Sequence, residues 1–209
     1  MNLFAVAVLV LMGLTMFVMV RGQRRNREFA RALSRRLEGA FNPTTSVYRN
    51  IGGVVGYHFT YDLEPPYQRL QGTMTFFPRH TLLYYPIARL LKREDELRFS
   101  LHAEFFAVGE AHLVSQARYG TGWVQITDEG EMERKEVEID GKRFIALYFY
   151  EGLADRMIAF LEDVPNLECI RHFACFGRER LFYFQMEPRL EMLDDTISAV
   201  LKKLPSIVG

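Results

Sequence analysis

The chain has 209 residues, of which 25% are charged and 49% hydrophobic, and its formal net charge is zero. This composition excludes a disordered chain, and the length is that of one globular domain beside a membrane segment. Because arginines are concentrated near the N-terminus, the remainder is acidic in compensation, which argues against DNA binding or broad nucleic-acid binding by the globular part.

An apolar segment without charged residues covers positions 3–20. A helix of this length is about 27 Å long, close to the roughly 30 Å hydrocarbon core of a bilayer. A cleaved signal peptide would carry its positive charge before the apolar segment and would end in small residues. Here the segment ends in FVMV and arginines follow it. We therefore predict a retained single-pass transmembrane anchor in residues 1–22.

Arginines follow the apolar segment directly. Seven lie between positions 21 and 36, namely Arg21, Arg24, Arg25, Arg27, Arg31, Arg35 and Arg36. Because positively charged flanks stay in the cytoplasm, they predict a cytoplasmic C-terminal domain at the cell membrane, or at the endoplasmic reticulum membrane in a eukaryote. We expect them to bind anionic lipid headgroups, at about 1 kcal/mol per well-placed side chain. Contact with the RNA of a docked ribosome is the alternative.

Residues 23–44 are predicted to form a basic juxtamembrane helix followed by a linker. Phe29, Leu33 and Leu37 recur every four residues, which indicates one apolar helical face. Such a helix either lies at the membrane interface or extends the anchor into the cytoplasm. The sequence NPTTS at positions 42–46 is typical of a linker.

Within the anchor, Met12, Met16 and Met19 fall on one helical face. Because methionine packs adaptably, this face predicts contact with a partner membrane helix. The face lacks the pair of small residues typical of close helix packing, and contact with lipid alone is the alternative.

Alternating and amphipathic segments predict one cytoplasmic domain over residues 45–209. Predicted strands cover 54–63, 70–77, 97–106 and 123–127, predicted hairpins 135–150 and 168–187, and predicted helices 81–93, 152–164 and 188–204. Residues 110–118 fit either a short helix or a strand. This order predicts an α+β fold, in which the anchor precedes a mostly antiparallel sheet with helices on one face.

No motif of a known catalytic or phosphate-binding site is present: the sequence has no Walker loop, no GxGxxG, no HExxH and no nucleophile elbow. The best metal candidate combines His102 and Glu104 on one strand face with Glu110 and His112, if the chain returns to bring them together. Their spacing matches no known metal motif, and a strand face turned to water predicts the same residues. We therefore predict no catalytic residue, no metal and no cofactor.

The two cysteines are expected to be free. On one extended strand, Cys169 and Cys175 would lie about 20 Å apart, too far for a disulfide. A cytoplasmic location also favours reduced thiols.

Four short segments carry a resemblance to a known family. They are LLYYPIARLLKREDELRFSL at 82–101, FAVG at 106–109, MIAFLEDVPNLECIRHFACFG at 157–177 and LFYFQMEP at 181–188. With the anchor before them, they resemble the calumin family of translocon-associated endoplasmic reticulum proteins. The family's acidic luminal part and charged coiled-coil tail are absent from this sequence, which would fit a short archaeal relative.

The resemblance implies a non-catalytic role in the insertion or assembly of multi-pass membrane proteins. The implied partners are membrane lipids and subunits of the translocon or of an insertase, with the ribosome as a further candidate. The alternatives are a membrane-tethered enzyme with an unrecognised metal site and a structural subunit of a larger membrane complex.

Overall fold

The computed structural model describes residues 3–104 and 106–208. The helices are α1 Leu3–Phe41, α2 Tyr84–Leu90, α3 Glu151–Glu162 and α4 Leu190–Lys203. The strands are β1 Thr45–Asn50, β2 Gly56–Asp62, β3 Tyr67–Thr75, β4 Glu96–Ala103, β5 Glu110–Ser115, β6 Glu133–Ile139, β7 Lys142–Tyr148, β8 Ile170–Phe176 and β9 Leu181–Met186.

The strands form one nine-stranded sheet in the order β1-β2-β3-β4-β9-β8-β5-β7-β6. Every neighbouring pair is antiparallel. Buried apolar residues of α3, α4 and the C-terminal half of α1 join the residues on one sheet face in a common core. We call this the inner face, and the opposite one the outer face. The predicted α+β class with an antiparallel sheet is confirmed.

A single continuous helix, α1, contains both the apolar segment and the basic segment. Its most apolar 18-residue window is long and apolar enough to cross a membrane, and none of that window is buried against the rest of the chain. Further along, Leu33 and Leu37 are 0% exposed in the core. The helix ends at Phe41, where Asn42 takes a left-handed conformation with φ of 44°. Two alternatives were predicted for the basic segment, and the structure shows the second. The segment continues the apolar helix instead of forming a separate helix.

Several segments differ from their predicted structure. Thr45 and Ser46, at the end of the predicted linker, already belong to β1, which pairs with β2 and was not predicted. The helix predicted over 81–93 is the shorter α2, with Pro86 in its first turn, where a missing backbone N–H costs no helical bond. The ambiguous residues 110–118 contain a strand, β5.

The strand predicted at 123–127 is wrong, because this segment is irregular. Gly120 and Gly122 precede it with φ of 71° and 75°, a conformation that turns the chain. The segment crosses the outer face, where Ile126 packs on a small cluster with Ile145 and Leu147 of β7. Its apolar residues therefore cover the sheet instead of extending it.

Candidate functional site: the membrane-proximal surface and the outer groove

All seven predicted membrane-binding arginines lie on the solvent-exposed side of α1. Arg24 forms a salt bridge with Glu28 at 2.8 Å, and Arg36 forms one with Asp194 of α4. Among the described residues, the other five form no salt bridge, namely Arg21, Arg25, Arg27, Arg31 and Arg35. Their charge is available to an external anion.

The opposite side of α1 contacts the domain along one stripe. Its buried residues are Gly22, Asn26, Ala30, Leu33, Leu37 and Phe41. Successive members are four residues apart except Ala30 and Leu33, which are three apart, and this spacing keeps them on one helical face. The predicted Phe29–Leu33–Leu37 repeat marks this side, but it misses the two residues nearest the apolar segment, Gly22 and Asn26.

Gly22 and Asn26 fix α1 to the segment that follows β3. A Cβ atom at Gly22 would lie 2.3 Å from the carbonyl oxygen of Arg79, so only glycine permits this approach. The Asn26 amide donates to the carbonyl oxygens of Val54 at 3.1 Å and Phe77 at 3.0 Å. Its Oδ1 accepts from Arg79 at 3.0 Å. The sequence feature that could have indicated this contact is a glycine and an asparagine, four residues apart, among the arginines.

Arg79 connects this contact to the sheet. Its guanidinium donates two hydrogen bonds to Asp95, at 2.7 Å and 2.5 Å, which raises the Arg79 pKa. The same group lies over the rings of Phe29 and Phe77, at 6.0 Å and 5.7 Å from their centroids. The residues on both sides of the α1 contact are thus held by charged and aromatic partners.

A pocket of about 400 Å³ opens beside this contact. Its lining includes five arginines, Arg21, Arg25, Arg79, Arg89 and Arg93. Two come from α1 and were predicted to bind lipid. Sequence reasoning missed the other three, because nothing local to residues 79–93 indicates that α1 lies beside them.

The predicted helix-contact face carries Met12, Met16 and Met19, which are 64%, 65% and 40% exposed. Thr15 beside them bonds its hydroxyl to the Leu11 carbonyl at 2.8 Å and so stays within the helix. The structure leaves this methionine face free for lipid or for a partner helix, and partner contact stays a prediction.

The predicted combination of His102, Glu104 and His112 is not assembled. His102 lies on β4 and His112 on β5, with β9 and β8 between them. Three strand spacings amount to about 14 Å, whereas metal ligands lie about 2 Å from the ion. Glu104 is an exposed residue just beyond β4. Within residues 3–104 and 106–208, no group of three or more His, Cys, Asp or Glu side chains could hold a metal ion.

His112 instead contacts a residue that the sequence analysis did not select. Its Nδ1 lies 3.0 Å from Nε2 of His172, and its Nε2 lies 2.9 Å from Oε1 of Glu110. The two rings are stacked with centroids 5.2 Å apart. Burial lowers the pKa of both histidines, that of His172 to about 3, so both are neutral at pH 7.

These histidines line a groove of about 780 Å³ on the outer face. Tyr183 and Gln185 of β9 line it from the sheet, and Trp123 lines it from the irregular segment above. The groove combines the two neutral histidines with three carboxylates, Glu110, Asp128 and Glu179, and with the guanidinium group of Arg98. Such a set suits binding of a polar group or transfer of a proton.

Cys169 and Cys175 are free and buried, as predicted. Cys169 lies in a 3₁₀ turn before β8, not on the strand itself. Burial raises the pKa of the Cys175 thiol to about 12, so this thiol is protonated and unreactive.

No protein-family model and no curated protein matches this sequence. One similar solved structure is the crystal structure of the mycobacterial trehalose monomycolate transport factor A, TtfA. The similarity covers 90% of this chain and 96% of that chain, with 12% identity and a TM-score of 0.40. At this level the likeness supports no conclusion about function, and the resemblance to the calumin family stays an expectation.

Proposed function

We propose that this chain is a non-catalytic, membrane-anchored scaffold whose cytoplasmic domain is held at a fixed height and orientation on the bilayer. The observation that supports this is the unbroken course of α1. The helix runs 39 residues from the exposed apolar segment into the domain core, where Leu33 and Leu37 are fully buried.

A rigid connection suits a scaffold better than a tethered enzyme. An enzyme that searches for substrates gains reach from a flexible linker, whose ends move over a distance that grows with its length. Here the first residues after the apolar segment are fixed by Gly22 and by the hydrogen bonds of Asn26. Rotation or tilt of the anchor would therefore turn the whole domain.

In its specific form, the scaffold assists insertion or assembly of multi-pass membrane proteins at the translocon or an insertase, as the calumin resemblance implies. Contact with these partners would use Met12, Met16 and Met19, the exposed methionine face of the anchor. The ribosome is a further candidate partner on the cytoplasmic side.

Photo-crosslinking in native membranes tests this proposal. A photoreactive residue replaces Met16 in the full chain, and the matched control replaces Leu14, which lies nearly opposite on the helix and is 49% exposed. The proposal expects adducts with translocon or insertase subunits from position 16 and lipid adducts alone from position 14. Lipid adducts alone from both positions would contradict it.

The outer groove favours a second candidate, a membrane-tethered enzyme that uses the buried His112 and His172. Metal analysis of the purified full chain tests its metal-dependent form. Stoichiometric zinc or iron that is lost in His112→Ala, but kept in His102→Ala, would favour this candidate. His102 is the suitable control because it lies three strands away on the same sheet face.

A further inference from the structure

Helix α2 exposes an apolar surface that the domain does not cover. Leu83 and Leu90 are 84% and 83% exposed, and Ile87 and Leu91 are 50% and 52% exposed. Ala88 is the only residue of α2 that is buried. A continuous exposed surface of large aliphatic side chains on a folded domain marks a contact surface.

The position of this surface relative to the anchor indicates what it contacts. The segment leading to α2 packs directly on Gly22, two residues beyond Val20, where the apolar segment ends. Phe77, next to that segment, makes an edge-to-face contact with Tyr85 of α2, with centroids 5.3 Å apart. Helix α2 therefore lies at the depth where the hydrocarbon core of a spanned bilayer gives way to headgroups.

The arginine pocket opens at the same depth. Its wall includes Val18, a residue within the apolar segment, beside Arg21 and Arg25 of α1. Arg79 is paired with Asp95. The other four arginines of the pocket form no salt bridge among the described residues, namely Arg21, Arg25, Arg89 and Arg93. Four guanidinium groups without a salt bridge make the pocket strongly positive, and guanidinium groups bind phosphate oxygens through paired, charge-assisted hydrogen bonds.

We propose that α2 lies in the interfacial region of the membrane and that the arginine pocket binds the headgroup phosphate of an anionic phospholipid. A lipid fits better than a free phosphate ion, since Val18 and the exposed α2 side chains would lie against its acyl chains. Tyr84 and Tyr85 are residues typical of the membrane interface. This inference rests on the proposed anchoring of α1 in the membrane, and it is independent of any protein partner.

Lipid binding by the full chain in mild detergent tests the pocket. Native mass spectrometry measures the retention of added phosphatidylglycerol by wild type, Arg89→Gln, and the double variant Arg89→Gln/Arg93→Gln. The matched control is Arg178→Gln/Arg180→Gln, which removes the same charge from exposed positions in the turn between β8 and β9, outside the pocket.

We expect wild type and the control to bind phosphatidylglycerol equally. Each arginine at an anionic membrane surface contributes about fivefold in affinity, so binding should fall about fivefold in the single variant and about 30-fold in the double variant. The Arg89 side chain has no hydrogen bond or salt bridge among the described residues, so the single variant keeps the test valid if the double variant misfolds. Equal binding by all variants would overturn the proposal. Displacement of the lipid by excess inorganic phosphate would indicate a free-phosphate site and would also overturn it.

The depth of α2 is tested in lipid nanodiscs. A fluorophore on Leu90→Cys should be quenched by lipids that carry a quencher in the upper acyl chain. The control is Gly39→Cys, an exposed site on α1. It lies about 25 Å along the helix axis from Gly22, where the segment leading to α2 packs, so a fluorophore there should not be quenched. The two native thiols are buried, so labelling is selective. Equal quenching at both positions would exclude an interfacial α2, whereas failure to enter nanodiscs would reject the anchor itself.

Discussion

Replacing Gly22 by alanine should separate α1 from the segment that follows β3. The added Cβ would lie 2.3 Å from the Arg79 carbonyl oxygen and 2.6 Å from the His80 Cα. Both are backbone atoms, so no side-chain rotation relieves the overlap. The segment must move by about 1 Å to restore ordinary van der Waals contact.

The cost follows from the same contacts. Overpacking of a buried site costs about 1–3 kcal/mol, and each strained buried hydrogen bond of Asn26 adds up to about 1 kcal/mol. Alanine is a better helix former than glycine by about 1 kcal/mol, which offsets part of this. We expect Gly22→Ala to lower the free energy of unfolding by about 2 kcal/mol.

Gly39→Ala is the control, because it makes the same exchange on the same helix with no atom within 4 Å of the new Cβ. It should raise stability slightly through helix propensity alone. The assay is urea unfolding of the full chain in mild detergent, followed by the fluorescence of Trp123, the single tryptophan. The guanidinium groups of Arg93 and Arg118 lie over the Trp123 ring, at 5.4 Å and 5.3 Å from its centroid, so its emission reports domain structure. Equal midpoints for the two glycine variants would refute a tight α1 contact.

Two further predictions use the same unfolding assay. Leu37→Ala removes a fully buried side chain and should cost about 2–5 kcal/mol, whereas Leu14→Ala in the exposed part of α1 should leave the urea midpoint unchanged. Acidification should destabilise the domain, since unfolding lets His172 bind a proton at its ordinary pKa of 6.5, whereas the folded pKa is about 3. The stability is complete above pH 6.5 and falls as the pH drops toward 3, by about 2 kcal/mol at pH 5. His172→Gln should flatten this dependence, and an unchanged pH profile in that variant would show that His172 is not its source. The groups that face His172 are His112 on β5, Arg98 on β4 and Tyr183 on β9, with Glu110 bonded to the far nitrogen of His112, and all remain in the variant.

Local sequence patterns predicted those parts of the fold that depend on residues close together in the chain. The period-four apolar repeat of Phe29, Leu33 and Leu37 identified the side of α1 that enters the core. The hairpin predicted over 135–150 is formed by β6 and β7, and an Asp-Gly pair favours the tight turn between them, where Asp140 and Gly141 have positive φ of 47° and 70°. In each case a few neighbouring residues carry the full signal.

Contacts between distant strands could not be predicted in this way. His112 and His172 become partners because β5 pairs with β8, and their 60-residue separation leaves no local signal. The same topology separates His102 from His112, which are close in the sequence and were therefore predicted to lie together. Pairing order, which depends on packing of the whole core, decides both outcomes.

The arginine pocket is a second feature that local sequence patterns could not predict. Arg89 and Arg93 join Arg21 and Arg25 only because Gly22 allows the segment after β3 to approach α1. The helix geometry then divides the predicted lipid-binding arginines. Along a straight helix, Arg36 lies about 22 Å beyond Arg21, more than twice the roughly 8 Å Debye length at physiological ionic strength.

If the helix stands upright on a bilayer, the four arginines up to position 27 are therefore those that could contact headgroups. Arg36 has a different partner, since it forms a salt bridge with Asp194 of α4 and adds to the contact between α1 and α4. The basic segment would then have two functions in succession, lipid contact near the bilayer and attachment of the domain above it. Because both would lie on one continuous helix that is fixed at Gly22, the proposed lipid contact would be mechanically coupled to the orientation of the domain.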